Sequence, residues 1–331
     1  MSRQCYNSSV GNIKQIFTLI FFALIFPELA TGSTPLFNFF NFAIFLILFF
    51  GYGIAVLLIR EFVVREKVNF FGLFLIGFAY TILNEGIFAK TLVREVGFPM
   101  PQFDHYGYMF GINVSGFLAL SLFHSLFSVI FPVVATHFFF PESKNEPWLG
   151  KKISFILAVL TILIGTVLFF APSGQFAAGT LNQYLILVIF MAIFALCGWF
   201  LGRNKENVET SISLSKRPFK LGIIWYLYSF FVFPVFIAQP KLPLAVFFIV
   251  YGVSIFVFMH LFKKNGVSIE SILLFTLGGY IVISLLAIIM SWIFHVVPNP
   301  VERTFSGAII ILTSLFIARK VLRNKGMRLG A

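Results

Sequence analysis

Residues 37–59 read FNFFNFAIFLILFFGYGIAVLLI, and residues 60–67 read REFVVREK. A long run without one charge gives way at once to a cluster of Arg, Glu and Lys. About 20 apolar residues let an α-helix cross the hydrocarbon of a bilayer. No water reaches the backbone there, so the run must satisfy its own hydrogen bonds as a helix. The pattern repeats along the chain, with apolar runs at 13–29, 37–59, 68–89, 113–140, 152–171, 181–202, 218–238, 243–262, 269–295 and 304–320.

Composition agrees. Of the 331 residues, 59% are hydrophobic and 11% charged, with a mean hydropathy of +0.97. An ordinary soluble domain carries about 25% charged residues. A chain this apolar needs lipid as its solvent, so residues 1–331 are expected to form one transmembrane domain with no soluble part. The expected fold is all-α: a polytopic integral membrane bundle of about ten transmembrane helices, in the cell membrane, with the lipid bilayer as its partner. The net charge of +12 sits in short loops between apolar runs and builds no groove for nucleic acid. Cys5 and Cys197 form neither a disulfide framework nor a metal motif.

The charges orient the bundle. With the N-terminus in the cytoplasm, 20 of the 24 Lys and Arg residues fall in inner segments, leaving only Lys90, Arg94, Lys241 and Arg303 outside. Cytoplasmic loops carry such an excess, so both termini are expected in the cytoplasm. Residues 13–29 have a second reading as a signal-peptide core; keeping them as a helix makes the alternation of sides work.

Ionisable groups inside such runs are where function is sought, because hydrocarbon penalises them. Glu85 lies in Thr81-Ile82-Leu83-Asn84-Glu85-Gly86, near the outer end of the third run. Gly77, Thr81 and Glu85 share one helical face, with Tyr80 and Asn84 beside them. The fourth run carries Ser121, His124, Ser125 and Ser128 at i, i+3, i+4 and i+7, with Pro132 one turn on. Pro132 removes a backbone hydrogen bond and is expected to kink that helix. The bland alternatives are a Glu85 paired with Lys90 or Arg94 and a His124 bonded to a neighbouring helix. Helix limits put Glu85 and His124 roughly 10 Å apart in depth, from the 1.5 Å rise per residue.

Two outer loops join the candidate set. Lys90 to Tyr106 includes Arg94, Asp104 and His105, and could form a lid over Glu85. His295 to Arg303 includes Asn299, and Ser284, Ser291 and His295 share a face of the ninth run. Gly51-Tyr52-Gly53 shares three residues with a potassium filter, but Phe49-Phe50 precede it within a continuous apolar run. It is expected to mark close packing or a local helix irregularity. Nucleotide, serine-hydrolase and zinc-protease motifs are absent from the sequence.

A carboxylate at a helix end, a histidine 39 residues later and a His-x-x-x-Asn beyond resemble the CPBP (Abi) family of intramembrane proteases. That family carries Glu-Glu-x-x-x-Arg, Phe-x-x-x-His and His-x-x-x-Asn/Asp. The matching positions here are Glu85, His124, and His295 with Asn299. The chain departs from the pattern at Asn84, which replaces the first Glu, and at Leu120, which replaces Phe; Lys90 is one residue out of place for Arg. The resemblance implies that Glu85 activates water while the histidines orient it or hold a metal.

Three functions follow from the sequence. The first is a small-molecule or ion transporter with an outward-facing polar site at Glu85 and His124. The second is an intramembrane protease or lipid-modifying enzyme using Glu85, His124 and His295. The third is a non-catalytic membrane assembly partner. No cofactor or metal is specified by the residues alone.

Overall fold

The computed structural model describes residues 12–94, 105–170, 179–203, 217–237, 242–264, 268–294 and 299–324. Within them the apolar runs are long helices. They are α1 (Ile13–Thr31), α2 (Phe42–Arg65), α3 (Phe70–Phe88), α4 (Val114–Phe139) and α5 (Lys151–Phe170). Then follow α6 (Leu181–Gly202), α7 (Pro218–Ile237), α8 (Leu244–Lys264), α9 (Ile269–Phe294) and α10 (Pro300–Asn324). Seven of these, α1–α4, α6, α9 and α10, are long and apolar enough among the described residues to cross a membrane.

Several limits differ from the apolar runs for local reasons. A 3-10 turn, Leu36–Phe40, precedes α2, and the Asn41 side chain accepts from the amides of Ala43 and Ile44, so the helix starts late. Asn299 accepts from the amide of Glu302 and starts α10 ahead of its apolar run. Before α4 the chain folds into a hairpin of β1 (Tyr108–Met109) and β2 (Ile112–Asn113). Its turn residues Phe110 and Gly111 both have positive φ, as a two-residue hairpin requires. Asn113 then caps α4 through the amide of Gly116 at 2.7 Å.

Small residues set the closest helix contacts. Gly198 and Gly202 of α6 lie against Gly72 of α3, where a Cβ on Gly198 would stand 2.8 Å from the Gly72 carbonyl oxygen. Such seams let backbones approach where lipid gives no hydrophobic drive between helices. Elsewhere the aromatics fill the core. Phe26, Phe127, Phe131 and Tyr280 of α1, α4 and α9 pack mostly edge to face, with ring centroids 4.8–5.3 Å apart.

The second helix runs past its apolar stretch because Arg60 and Glu61 are buried, not solvated. The Arg60 guanidinium donates to Glu61 Oε1 at 2.7 Å and to the carbonyls of Ser143 and Lys144, and it stacks 3.5 Å over the Trp148 ring. Glu61 accepts in turn from the amides of Trp148 and Leu149 and from Arg65. The short loop after α4 is thereby locked onto the end of α2. The end of α6 joins α3 at the same end of the bundle, where the Asn69 amide donates to the Gly202 carbonyl at 2.8 Å.

Removing one member of a buried, hydrogen-bonded ion pair costs about 3–5 kcal/mol. Glu61→Ala is therefore expected to lower thermal stability in detergent by that amount, read by unfolding against wild type. A loss under about 1 kcal/mol would mean that water reaches Arg60.

Candidate functional site

Three of the helices are not uniform. A π-helical turn interrupts α2 at Phe49–Ile54, ends α3 at Ile82–Phe88 and interrupts α4 at His124–Ile130. Such turns insert a residue into the i→i−4 ladder and recur at functional sites. The inserted residue rotates the stripes that regular spacing predicts. Here the three turns carry Tyr52, Glu85, and His124 with Ser128, and the structure brings these side chains to one place.

At its centre, His124 Nε2 lies 3.0 Å from Glu85 Oε1, and His124 Nδ1 lies 3.0 Å from Ser128 Oγ. The pair is shielded, with 2% of the His124 and 13% of the Glu85 side chain exposed. The Thr91 hydroxyl donates to the second Glu85 carboxylate oxygen and to the Glu85 carbonyl. Arg94 is buried nearby, donates to the Ala89 carbonyl at 2.6 Å, and feels the Glu85 charge. Burial draws its guanidinium below the usual value, and the Glu85 carboxylate opposes that shift. Around the imidazole stand the rings of Phe123, Tyr80 and Tyr52, with centroids 5.3, 5.7 and 6.1 Å away.

The roughly 10 Å depth difference expected from helix limits does not separate these groups. The Thr91–Val93 turn that follows α3 packs on β2 and on the first turns of α4, so α3 and α4 run antiparallel. Side chains tilt toward the N-terminus of their own helix. Glu85, near the C-terminal end of α3, thus points toward the middle of the bundle. His124, within α4, points back toward the end where Glu85 sits. The two close the difference from both sides.

Other members of the sequence-derived set are distributed more widely. Thr81 is buried and donates to the Gly77 carbonyl at 2.9 Å, and Ser125 packs against Gly77. The Ser121 and Ser125 hydroxyls and the Asn84 amide nitrogen are buried without a hydrogen-bond partner among the described residues. His105 and Asn299 are exposed, the latter serving as the cap of α10. Asp104 and His295 lie outside the described residues. No three His, Cys, Asp or Glu residues converge to hold a metal ion among the described residues.

Sequence reasoning missed a second carboxylate. Glu28, in the last turns of α1, is buried, accepts from Thr34 Oγ1 at 2.6 Å and is bonded by the Tyr52 hydroxyl. The sequence holds its signal, since Glu28 lies inside the first apolar run at the same end of the bundle as Glu85. Beyond Thr34 is a cavity of about 90 Å³ bounded by Gly32, Glu302, Arg303 and Ser306. Arg303 donates to the Thr31 carbonyl and so ties α10 to the end of α1.

Residues in one hydrogen-bonded pair are non-additive on mutation, by about 0.5–3 kcal/mol. A double-mutant cycle of Glu85→Ala and His124→Ala, followed by thermal unfolding, is expected to give a coupling of about 1–3 kcal/mol. A coupling near zero would show that the two side chains do not act as a pair.

The comparisons with known proteins place this architecture. No curated protein and no solved structure matches the chain. Residues 17–324, from α1 to the last turn of α10, match the family described as "Uncharacterized membrane protein family". The chain belongs to that family and is a multi-pass integral membrane protein.

Proposed function

We propose that the protein is a proton-coupled transporter of a small molecule or ion, with the Glu85–His124 pair as its proton site. One observation carries the reading: His124 can gain or lose a proton without losing a hydrogen bond. Nε2–H donates to Glu85 in both states. At Nδ1, the Ser128 hydroxyl accepts from the imidazolium and donates to the neutral ring. The protonated pair is neutral overall, and the deprotonated pair keeps a single negative charge that Arg94 faces. A buried ionisable group that exchanges its proton inside a membrane bundle is the signature of a relay or coupling site. The partnerless polar atoms of Ser121, Ser125 and Asn84 supply bonding capacity for a polar substrate.

In this reading ten helices span the cell membrane. Both termini lie in the cytoplasm, α1 is retained, and Glu85 is reached from outside. The excess of Lys and Arg at the opposite end of the bundle supports that orientation. The bilayer is the partner the fold requires.

A second reading rests on the same contact. The resemblance to CPBP proteases implies that Glu85 activates water beside a histidine, and Glu85 does meet His124 at 3.0 Å. A hydrolase would cleave a reporter transmembrane peptide or a lipid in detergent, with products seen by mass spectrometry and lost in Glu85→Gln.

Two experiments test the main reading. Reconstituted on a solid-supported membrane, wild type should give charge movement on a pH step, and Glu85→Gln should reduce it at least tenfold. Glu146→Gln, on an exposed loop at the other end of the bundle, should leave it unchanged. Equal currents from Glu85→Gln and wild type would remove the proton role. Single cysteines placed at the exposed His105 and Glu146 should react with impermeant maleimide from outside and from inside, respectively; the reverse pattern would invert the topology.

A further inference from the structure

Glu28 is the largest feature of this chamber that the Glu85–His124 pair does not explain. It is 4% exposed and sits in a helix of apolar residues, yet it keeps a carboxylate. An unused carboxylate in such a place is costly and calls for a role. Its surroundings are built. Thr34 donates from the segment after α1, and the Tyr52 hydroxyl donates from the π-helical turn of α2. The Tyr52 ring stands 6.1 Å from the His124 ring of α4, and His124 in turn lies 3.0 Å from Glu85 of α3, so one aromatic side chain bridges Glu28 to the pair. Arg303 approaches from α10 and carries Glu302 beside it. Tyr80 completes the ring from α3, its hydroxyl spent on the Gly51 carbonyl at 3.0 Å. The α9 residue packed on this part of α1 is Tyr280, whose ring meets Phe26 and whose hydroxyl donates to the Phe127 carbonyl; it brings no charge.

We infer that Glu28 is a second proton-binding carboxylate of the chamber, electrostatically coupled to the Glu85–His124 pair, and that the cavity between α1 and α10 is its mouth. Two carboxylates and one imidazole in a bundle of low dielectric do not titrate independently. A proton bound at Glu28 removes a negative charge beside His124 and lowers the affinity of His124 for its own proton. Thr34, which donates to the Glu28 carboxylate, also lines the 90 Å³ cavity, which is large enough for water. On this inference protons reach Glu28 by way of Thr34 and Arg303. This deepens the transport reading and rests on it for its purpose, while the coupling itself is a property of the resting protein.

The test uses full-length protein in lipid nanodiscs with ¹⁵N-labelled histidine, the His124 signal being assigned by its loss in His124→Asn. Glu28→Gln is expected to lower the His124 titration midpoint by about one pH unit, a tenfold change in proton concentration, because a neighbouring negative charge is gone. Thr34→Ala, which weakens the hold on the Glu28 carboxylate, is expected to move it the same way by less, and covers the case in which Glu28→Gln does not fold. Glu146→Gln, on an exposed loop, should leave it fixed. A wild-type midpoint in both Glu28→Gln and Thr34→Ala would overturn the inference. If the midpoint moves but wild-type vesicles carry no proton-driven current, the coupling stands and the transport reading falls.

Discussion

Every backbone N–H and C=O in this bundle must find a partner within the protein, because lipid offers none. Regular α-helices meet that demand automatically. The π-helical turns at Phe49–Ile54, Ile82–Phe88 and His124–Ile130 do not, and the rest of the site follows from how their loose ends are satisfied. Pro132 has no N–H for a carbonyl one π-turn back, and the Tyr280 hydroxyl donates to the Phe127 carbonyl at 2.8 Å instead. Tyr80 likewise donates to the Gly51 carbonyl in the α2 turn. In α2 and α4 a polar side chain from another helix thus meets the loose end, whereas in α3 the Thr91 hydroxyl of the following turn donates to the Glu85 carbonyl. These bonds tie α2 to α3 and α4 to α9.

The two ends of the bundle solve the charge problem differently. At the Arg60 end the charges are fully paired: Arg60 and Glu61 use backbone groups, each other and Arg65, and the Trp148 ring covers the guanidinium. Nothing there gains from moving a proton. At the Glu85 end the partners are hydroxyls and an imidazole, groups that donate and accept with almost equal ease. Thr91, Ser128, Thr34 and Tyr52 hold Glu85, His124 and Glu28 in place by hydrogen bonds. The first arrangement holds a loop to a helix, whereas the second is the one on which the transport proposal rests.

Much of this was legible in the sequence. The apolar runs gave the helices because the bilayer imposes a length and forbids charge. Glu85 and His124 stood out because each is an ionisable residue on a stripe of small polar ones. What stayed hidden was hidden for physical reasons. Regular helical spacing put Ser128 beside His124, where it is found, but it could not place Tyr52, which lies in the π-turn of another helix. Arg60 and Glu61 follow an apolar run and so read as loop charges; only the fold of residues 141–149 around them buries the pair. Glu28 is the last but one residue of its run, where a carboxylate normally reaches water, and the packing of α10 through Arg303 covers that end of α1. Gly51-Tyr52-Gly53 marks a real irregularity, yet its geometry becomes visible only when the Gly51 carbonyl meets Tyr80.

In the transport reading we propose, the behaviour of the chamber turns on Glu85. An isolated charge in a low dielectric is far more costly than a neutral acid, and Glu85 is not isolated. His124 Nε2 lies 3.0 Å from one carboxylate oxygen, and the Thr91 hydroxyl donates to the other. In that reading, opening the contact between α1 and α10, held by Arg303 on the Thr31 carbonyl, admits water to Glu28. A helix movement at the mouth and a proton movement at the pair are then two sides of one equilibrium, as linkage requires.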